Sequence, residues 1–132
     1  MTPQRQARLV YRAGAISNFV VTIPAFVAYH RYVRSFFREE PNYPFLVWIW
    51  SGMAFLWGVS FWQISTDPDA AYPLLRYSWL EKSVTSTSVL VAYARGRVPG
   101  RVAAGVVFTD VVWIPAFMST HARLARSRAG AS

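Results

Sequence analysis

Three stretches of the chain are almost free of charge. Ala13 to Tyr29 runs for 17 residues between Arg12 and His30, and Phe45 to Ile64 runs for 20 with only Ser51, Ser60 and Gln63 notably polar. Val102 to Thr120 runs for 19 with Asp110 as its single charge. A helix needs roughly 20 apolar residues to cross a hydrocarbon core about 30 Å thick, so each stretch predicts a spanning helix. A fourth, Tyr72 to Ala94, is long enough but contains Arg76, Glu81 and Lys82. Its uncharged part, Ser83 to Ala94, includes Ser83, Thr85, Ser86, Thr87 and Ser88. Alone in lipid it would be unfavourable. Within a bundle, small hydroxyl residues let helices approach closely and bond back to their own carbonyls.

The connections fit that pattern. Glu39-Glu40-Pro41-Asn42-Tyr43-Pro44, Asp67-Pro68-Asp69 and Gly96-Arg97-Val98-Pro99-Gly100 break the apolar runs with turn formers. Helices in small bundles pair as hairpins with short connections. The expectation is therefore an all-α, four-helix transmembrane bundle, one domain over 1–132, with spans over 10–33, 45–64, 72–94 and 102–121. The first apolar run is too long for a cleavable leader and lacks a convincing cleavage site.

Composition sharpens this. Hydrophobic residues make up 54% and charged residues 15%, against about 25% charged in an average soluble domain. No cysteine is present, which excludes disulfides, thiolate metal sites and cysteine nucleophiles. The net charge of +8 admits nucleic acid until the positions are read. Twelve of the fourteen basic residues fall in four clusters: Arg5, Arg8, Arg12; Arg31, Arg34, Arg38; Arg95, Arg97, Arg101; and Arg123, Arg126, Arg128. Clusters at span ends suit snorkelling to phosphate headgroups, so the expected partner is the lipid bilayer and not nucleic acid. With four spans each side receives six of these arginines, which leaves the positive-inside rule little to act on. Both termini in the cytoplasm of a bacterial inner-membrane protein is the default. Dual topology, as an antiparallel homodimer, is the alternative.

Ile23-Pro24-Ala25-Phe26-Val27-Ala28-Tyr29-His30 reappears as Ile114-Pro115-Ala116-Phe117-Met118-Ser119-Thr120-His121, identical at five of eight positions. Each proline frees the carbonyl four residues back, Val20 or Val111. Chance similarity in a biased alphabet and pseudo-symmetry of the first and last helices both fit. His30 and His121 invite a haem reading, but antiparallel helices put them on opposite sides of the membrane. No metal or other cofactor is expected.

Ionisable residues inside spans are functional candidates by default. Here they are Glu81, Lys82 and Asp110, joined by Asn18. Asn18 and Lys82 lie about a third of the way in from the terminal side, and Asp110 some 7 Å deeper by helical rise, within reach of a lysine stem. Asn18, Thr22, Ala25 and Tyr29 share one face, as do Asp110, Ile114, Phe117 and His121. One reading is a structural Lys82–Asp110 pair that fixes helix register. Another makes the network the floor of a pocket, with Glu81 and Asp110 as catalytic acid and base toward a lipophilic substrate. A third is an ion pathway. Trp48 and Trp62 suit the two interfacial belts, while Trp57, with Phe55 and Phe61, can line an apolar slot. Phosphate loops, serine elbows, metalloprotease motifs and zinc clusters are missing.

Lys82, the following Gly-Pro turn and the segment Asp110-Val111-Val112-Trp113-Ile114-Pro115-Ala116-Phe117 resemble small bacterial four-helix membrane proteins of the DoxX type. In that group a lysine in helix three precedes an Asp-x-x-Trp-x-Pro-x-Phe segment in helix four, and Asn18 matches an asparagine in the first helix. The resemblance implies a fold and a membrane location; it brings no reaction. The candidate binding residues are Asn18, Lys82, Trp57 and Trp113. Glu81 beside the lysine and the hydroxyl-rich third helix depart from the pattern. The leading expectation is a small membrane protein that binds a lipophilic small molecule or a larger membrane protein partner without catalysis. The alternatives are an isomerase or cyclase acting on an isoprenoid or polyketide-like substrate, and a small dual-topology transporter.

Overall fold

The computed structural model describes residues 1–37 and 40–130, so Arg38 and Glu39 of the first connection lie outside the described residues. All regular structure among the described residues is helical. The α-helices are α1 (Pro3–Val27), α2 (Tyr29–Phe36), α3 (Pro44–Thr66), α4 (Leu75–Ala94), α5 (Gly100–Val106) and α6 (Trp113–Ala129). A 3₁₀ turn, Tyr72–Leu74, leads into α4, and a π-helical turn, Val107–Val111, joins α5 to α6 in one 30-residue rod. Three helices are long and apolar enough to cross a membrane: Pro3–Val27, Pro44–Thr66 and Gly100–Ala129. α4 does not reach that composition, because Arg76, Glu81, Lys82 and its hydroxyls dilute it.

The stretch 10–33 is not one helix. Pro24 supplies no N–H to the Val20 carbonyl, and the backbone breaks at Ala28 (φ −143°, ψ 48°). α2 then sets off separately as a short amphipathic helix, Tyr32, Val33 and Phe36 turned inward and Arg31 and Arg34 exposed. The second proline acts differently. Upstream of Pro115 the helix widens, with Val112 N donating to Val107 O at 3.3 Å across five residues. The similar segments thus carry dissimilar backbones.

Contacts at the two ends fix the chain's course. At one end Arg123 Nη1 donates to Gln6 Oε1 (2.9 Å), Arg128 Nη1 donates to Asp69 O (3.1 Å), and the Tyr72 and His121 rings meet at 5.3 Å. At the other end His30 Nδ1 lies 2.7 Å from Glu40 Oε1, and Arg101 Nη1 reaches the carbonyls of Arg34 and Ser35 at 3.5 Å. His30 and His121 are therefore at opposite ends, as the antiparallel reading requires. α4 closes at this second end in a glycine cap. Gly96 has φ +67°, a conformation that strains any residue with a Cβ, and Arg97 N donates to Ala92 O at 2.9 Å.

α3 packs along α1, and α6 packs on both α1 and α4, while no comparable packing joins α3 to α4. The α1–α3 contact uses small residues. Ser51, Gly58 and Ser65 recur every seven positions on the buried side of α3, and Ala7, Gly14, Ala15 and Ala25 lie on the buried side of α1. A Cβ on Gly58 would meet Phe19 Cε1 at 2.8 Å, and one on Gly14 would meet Phe117 Cζ at 2.8 Å. A connected apolar cluster occupies the end that carries the termini. It joins Ala7, Tyr11, Ala15, Phe61, Ile64, Leu75, Phe117 and Leu124, with Tyr11 stacked on Phe117 (4.8 Å) and Phe61 against both rings. Aromatic pairs of this kind add about 0.5–1.5 kcal/mol each beyond area burial.

α4 is built the other way round from a soluble helix. Its buried residues are Leu75, Ser78, Lys82 and Ser86, while Tyr77, Leu80, Val84, Leu90 and Val91 face outward, with Arg76, Thr87 and Ser88 among them. α3 presents Leu46, Ile49, Met53 and Leu56 outward. In water such a contiguous apolar exterior would be a liability; toward acyl chains it is a match.

Candidate functional site

The polar residues singled out in the sequence converge. Lys82, on the buried side of α4, is 3% exposed, and Asp110 is 4% exposed at the end of the π turn. Lys82 Nζ donates to Asp110 Oδ1 at 2.6 Å and to Asn18 Oδ1 at 3.0 Å. Asn18 in turn donates through Nδ2 to the Ala54 carbonyl at 2.8 Å, which ties the network to α3. Thr22 Oγ donates back to Asn18 O at 2.7 Å. Four elements meet at one ammonium group, which also lies 5.9 Å from the centre of the Phe61 ring, the top of the aromatic core.

Glu81 completes the set at a distance. Its Oε2 lies 3.8 Å from Lys82 Nζ and is buried without a hydrogen-bond partner. One ammonium thus faces two carboxyl groups, bonded to Asp110 and only near Glu81. Beside them is a space of about 20 Å³, walled by Asn18, Trp50, Ala54, Glu81, Lys82, Thr85 and Asp110 among others. That is room for one water, with polar groups on several sides to hold it.

Immediately beyond lies a second space, about 620 Å³ and half-open, which fills the gap that α3 and α4 leave between them. Val20, Val21 and Pro24 of α1, Leu46, Val47 and Trp50 of α3, Val89 of α4 and Val102, Gly105 and Val106 of α5 form its walls. Tyr32 and Phe36 of α2 contribute the apolar roof. Val21, Trp50 and Thr109 line both spaces, so the water-sized space with its polar network adjoins the deep end of the apolar cavity, while Asn18, Glu81, Lys82 and Asp110 do not line the cavity itself. Small-molecule sites run from roughly 300 to 1,000 Å³, mostly apolar with a few convergent polar groups. The arrangement has that form.

Not every expected binding residue is there. Trp57 packs against Phe61 (5.7 Å) and Trp113 stacks on Phe117 (5.8 Å), so both belong to the aromatic core and neither lines the cavity. The tryptophan of the site is Trp50, four positions from Ala54, whose carbonyl holds Asn18. Trp50 and Trp57 are seven positions apart and share one side of α3, each beside a residue of the small stripe Ser51, Gly58, Ser65. Depth separates them: Trp57 is level with the aromatic core and Trp50 is two turns further along, at the cavity. Among the described residues no group of three or more histidine, aspartate and glutamate side chains can hold a metal ion. Neither family models, nor curated proteins, nor solved structures compared with the chain match it.

Proposed function

We propose that the protein is a four-span bundle of the cell membrane that binds a lipophilic small molecule non-catalytically in the cavity between α1, α3, α4 and α5. The carrying observation is the apolar cavity of about 620 Å³, which adjoins the Asn18–Lys82–Asp110 network through Val21, Trp50 and Thr109. The polarity of α4 supports counting it as a span despite its composition: Lys82 is bonded inside the bundle, while Tyr77, Leu80, Val84, Leu90 and Val91 face outward. The likeness of Lys82 and the Asp110–Phe117 segment to DoxX-type proteins supports the same bundle. In the ligand-bound state Trp50 and the valines supply the apolar walls, and the neighbouring network fixes the helices that form them.

Two measurements test this. The chain lacks cysteine, so single cysteines report cleanly. Val84→Cys, outward at mid-α4, is expected to resist a membrane-impermeant maleimide, with Arg76→Cys and Arg95→Cys labelled from opposite sides; labelling of Val84→Cys removes the fourth span. Mass spectrometry of the purified protein is expected to find a lipophilic compound bound to the wild type and absent from a cavity-filled Val47→Phe/Val89→Phe variant. Equal loading of the two removes the cavity as the binding site.

A second reading rests on Glu81, whose buried Oε2 has no donor and which lines the water-sized space at the cavity floor. There it can serve as the proton-exchanging group of an isomerase or cyclase, with Asp110 held by Lys82 as its partner. Glu81→Gln and Asp110→Asn variants that accumulate normally yet lose turnover on a lipophilic substrate favour that enzyme over a binder.

A further inference from the structure

The roof of the cavity is amphipathic, and its outer side has a chemistry of its own. Tyr32 and Phe36 face the cavity, while His30, Arg31 and Arg34 stand on the other side of α2 around a shallow open basin that also includes Ser35 and Glu40. Ser35 lines both spaces, so basin and cavity meet at one rim. Arg101 is on that rim as well: its guanidinium reaches the carbonyls of Arg34 and Ser35, and its neighbour Val102 lines the cavity. Three arginines therefore ring the mouth. Among the described residues of the rim one carboxylate opposes them, Glu40, already engaged by His30 at 2.7 Å and near Arg34 at 3.8 Å. Arg38 and Glu39, which cancel in formal charge, lie outside the described residues.

The floor has the opposite character. Lys82 is committed to Asp110 and Asn18, and the space beside it admits about one water. An ionic head driven to the floor would have to break that pair and bring its own charge into lipid depth. At the rim, the same head meets arginine forks in partly aqueous surroundings, where guanidinium binds carboxylate or phosphate oxygens two at a time.

Building on the proposed binding function, we infer that the ligand is an anionic single-chain lipid. Its carboxylate or phosphate head sits at the Arg31–Arg34–Arg101 rim, and its chain runs down past Trp50 toward the polar floor. Ser35, at the junction, already donates its hydroxyl to the Arg31 carbonyl at 2.9 Å, so the arginines hold the head. α2 closes over the upper chain as a roof between bilayer surface and cavity.

The test uses the full chain in phosphatidylcholine nanodiscs, with dibromostearic acid and dibromostearyl alcohol as probes. Bromine quenches nearby tryptophan, and the difference between wild type and Trp50→Phe isolates the cavity. The acid is expected to quench Trp50 saturably, at about a tenth of the concentration the alcohol requires. Arg31→Gln/Arg34→Gln is expected to raise the acid's half-saturation about three- to tenfold and leave the alcohol's unchanged. Arg34 is 74% exposed, so these exchanges leave the helical core untouched, which circular dichroism verifies. Equal affinity for acid and alcohol, with no effect of the arginine exchanges, overturns the head-group assignment while the lipophilic cavity stands. Absence of any saturable Trp50-dependent quenching, by either probe, overturns the binding function itself.

Discussion

Replacing Lys82 separates a bonded network from a mere cluster of charges. Lys82→Met removes both donations at once, to Asp110 (2.6 Å) and to Asn18 (3.0 Å), and leaves Asp110 buried without its cation. Breaking a buried ion pair from one side costs about 3–5 kcal/mol. Asp110→Leu is expected to be milder, at about 2–3 kcal/mol. Lys82 then keeps the Asn18 oxygen, a hydrogen bond to a charged group worth about 1.5–3 kcal/mol, and has Glu81 Oε2 within 3.8 Å. Removing both partners removes the uncompensated charges together. Since Glu81 would still be left facing the site, the neutral reference is Lys82→Met/Asp110→Leu/Glu81→Gln, expected within about 1.5 kcal/mol of wild type because apolar replacement of a buried pair is often neutral. The assay is reversible unfolding in mixed micelles with rising dodecyl sulfate, followed by tryptophan fluorescence. A Lys82→Met cost no larger than that of Asp110→Leu defeats the reasoning, because it means that the Asn18 bond contributes nothing. Strict additivity of all three exchanges defeats it as well.

Other expectations follow from particular contacts. Gly58→Ala and Gly14→Ala force a methyl to within 2.8 Å of Phe19 and Phe117 respectively, which is expected to lower stability by about 1–3 kcal/mol in the same micelle titration. Gly52→Ala, with nothing within 4 Å of its Cβ, is expected to change it by less than about 0.5 kcal/mol. Gly96→Ala places a Cβ at φ +67° and is expected to cost about 1–2 kcal/mol, seen also as faster amide exchange at the end of α4. Tagging each terminus and assaying which side it faces is expected to return one orientation for both ends of every molecule; an even mixture supports the antiparallel dimer and the transporter reading.

Much of the network was legible because it depends on one-dimensional quantities. Apolar run lengths located the helices, and residues from the membrane surface gave the depths of Asn18, Lys82 and Asp110. The length of a lysine stem then predicted the bridge. What escaped depends on rotation and on local backbone. The helix break falls at Ala28, four residues past the proline that was its visible sign, because the freed Val20 carbonyl only weakens the helix and the switch to an amphipathic pattern ends it. The π turn at Val107–Val111 widens the helix next to Pro115 and sets the direction of Asp110; spacing of 3.6 residues per turn cannot register such a change. Trp57 and Trp50 share one side of α3, seven residues apart, so the stripe Ser51, Gly58 and Ser65 marks them alike. What distinguishes them is the depth at which the aromatic core gives way to the cavity, and that depends on where Phe61, Phe117 and Tyr11 meet, which one helix's sequence does not carry.

The position of the ionic pair supports a ligand-related reading over a purely architectural one. A pair that only fixed helix register would serve as well among the rings of the aromatic core, where α1, α4 and α6 already converge on Tyr11, Leu75 and Phe117. Instead it lies at the boundary where close packing stops and the open cavity begins. Apolar residues there would fill the floor and shorten the cavity. The tight half anchors α1, α4 and α6 to one another, while α3, held along α1 and by Phe61 against Phe117, leaves the gap beside α4 open. Asn18 bonds the Ala54 carbonyl at the level where that gap starts. It thereby holds α3 at the network while the helix above remains free to part from α4. Asn18→Leu is therefore expected to loosen α3 selectively, raising maleimide labelling of an Ala54→Cys background at least severalfold while the unfolding midpoint falls by an amount equivalent to only about 1–2 kcal/mol. Unchanged labelling would mean that the small-residue stripe on α1 suffices to hold α3, and that the asparagine serves the lysine only.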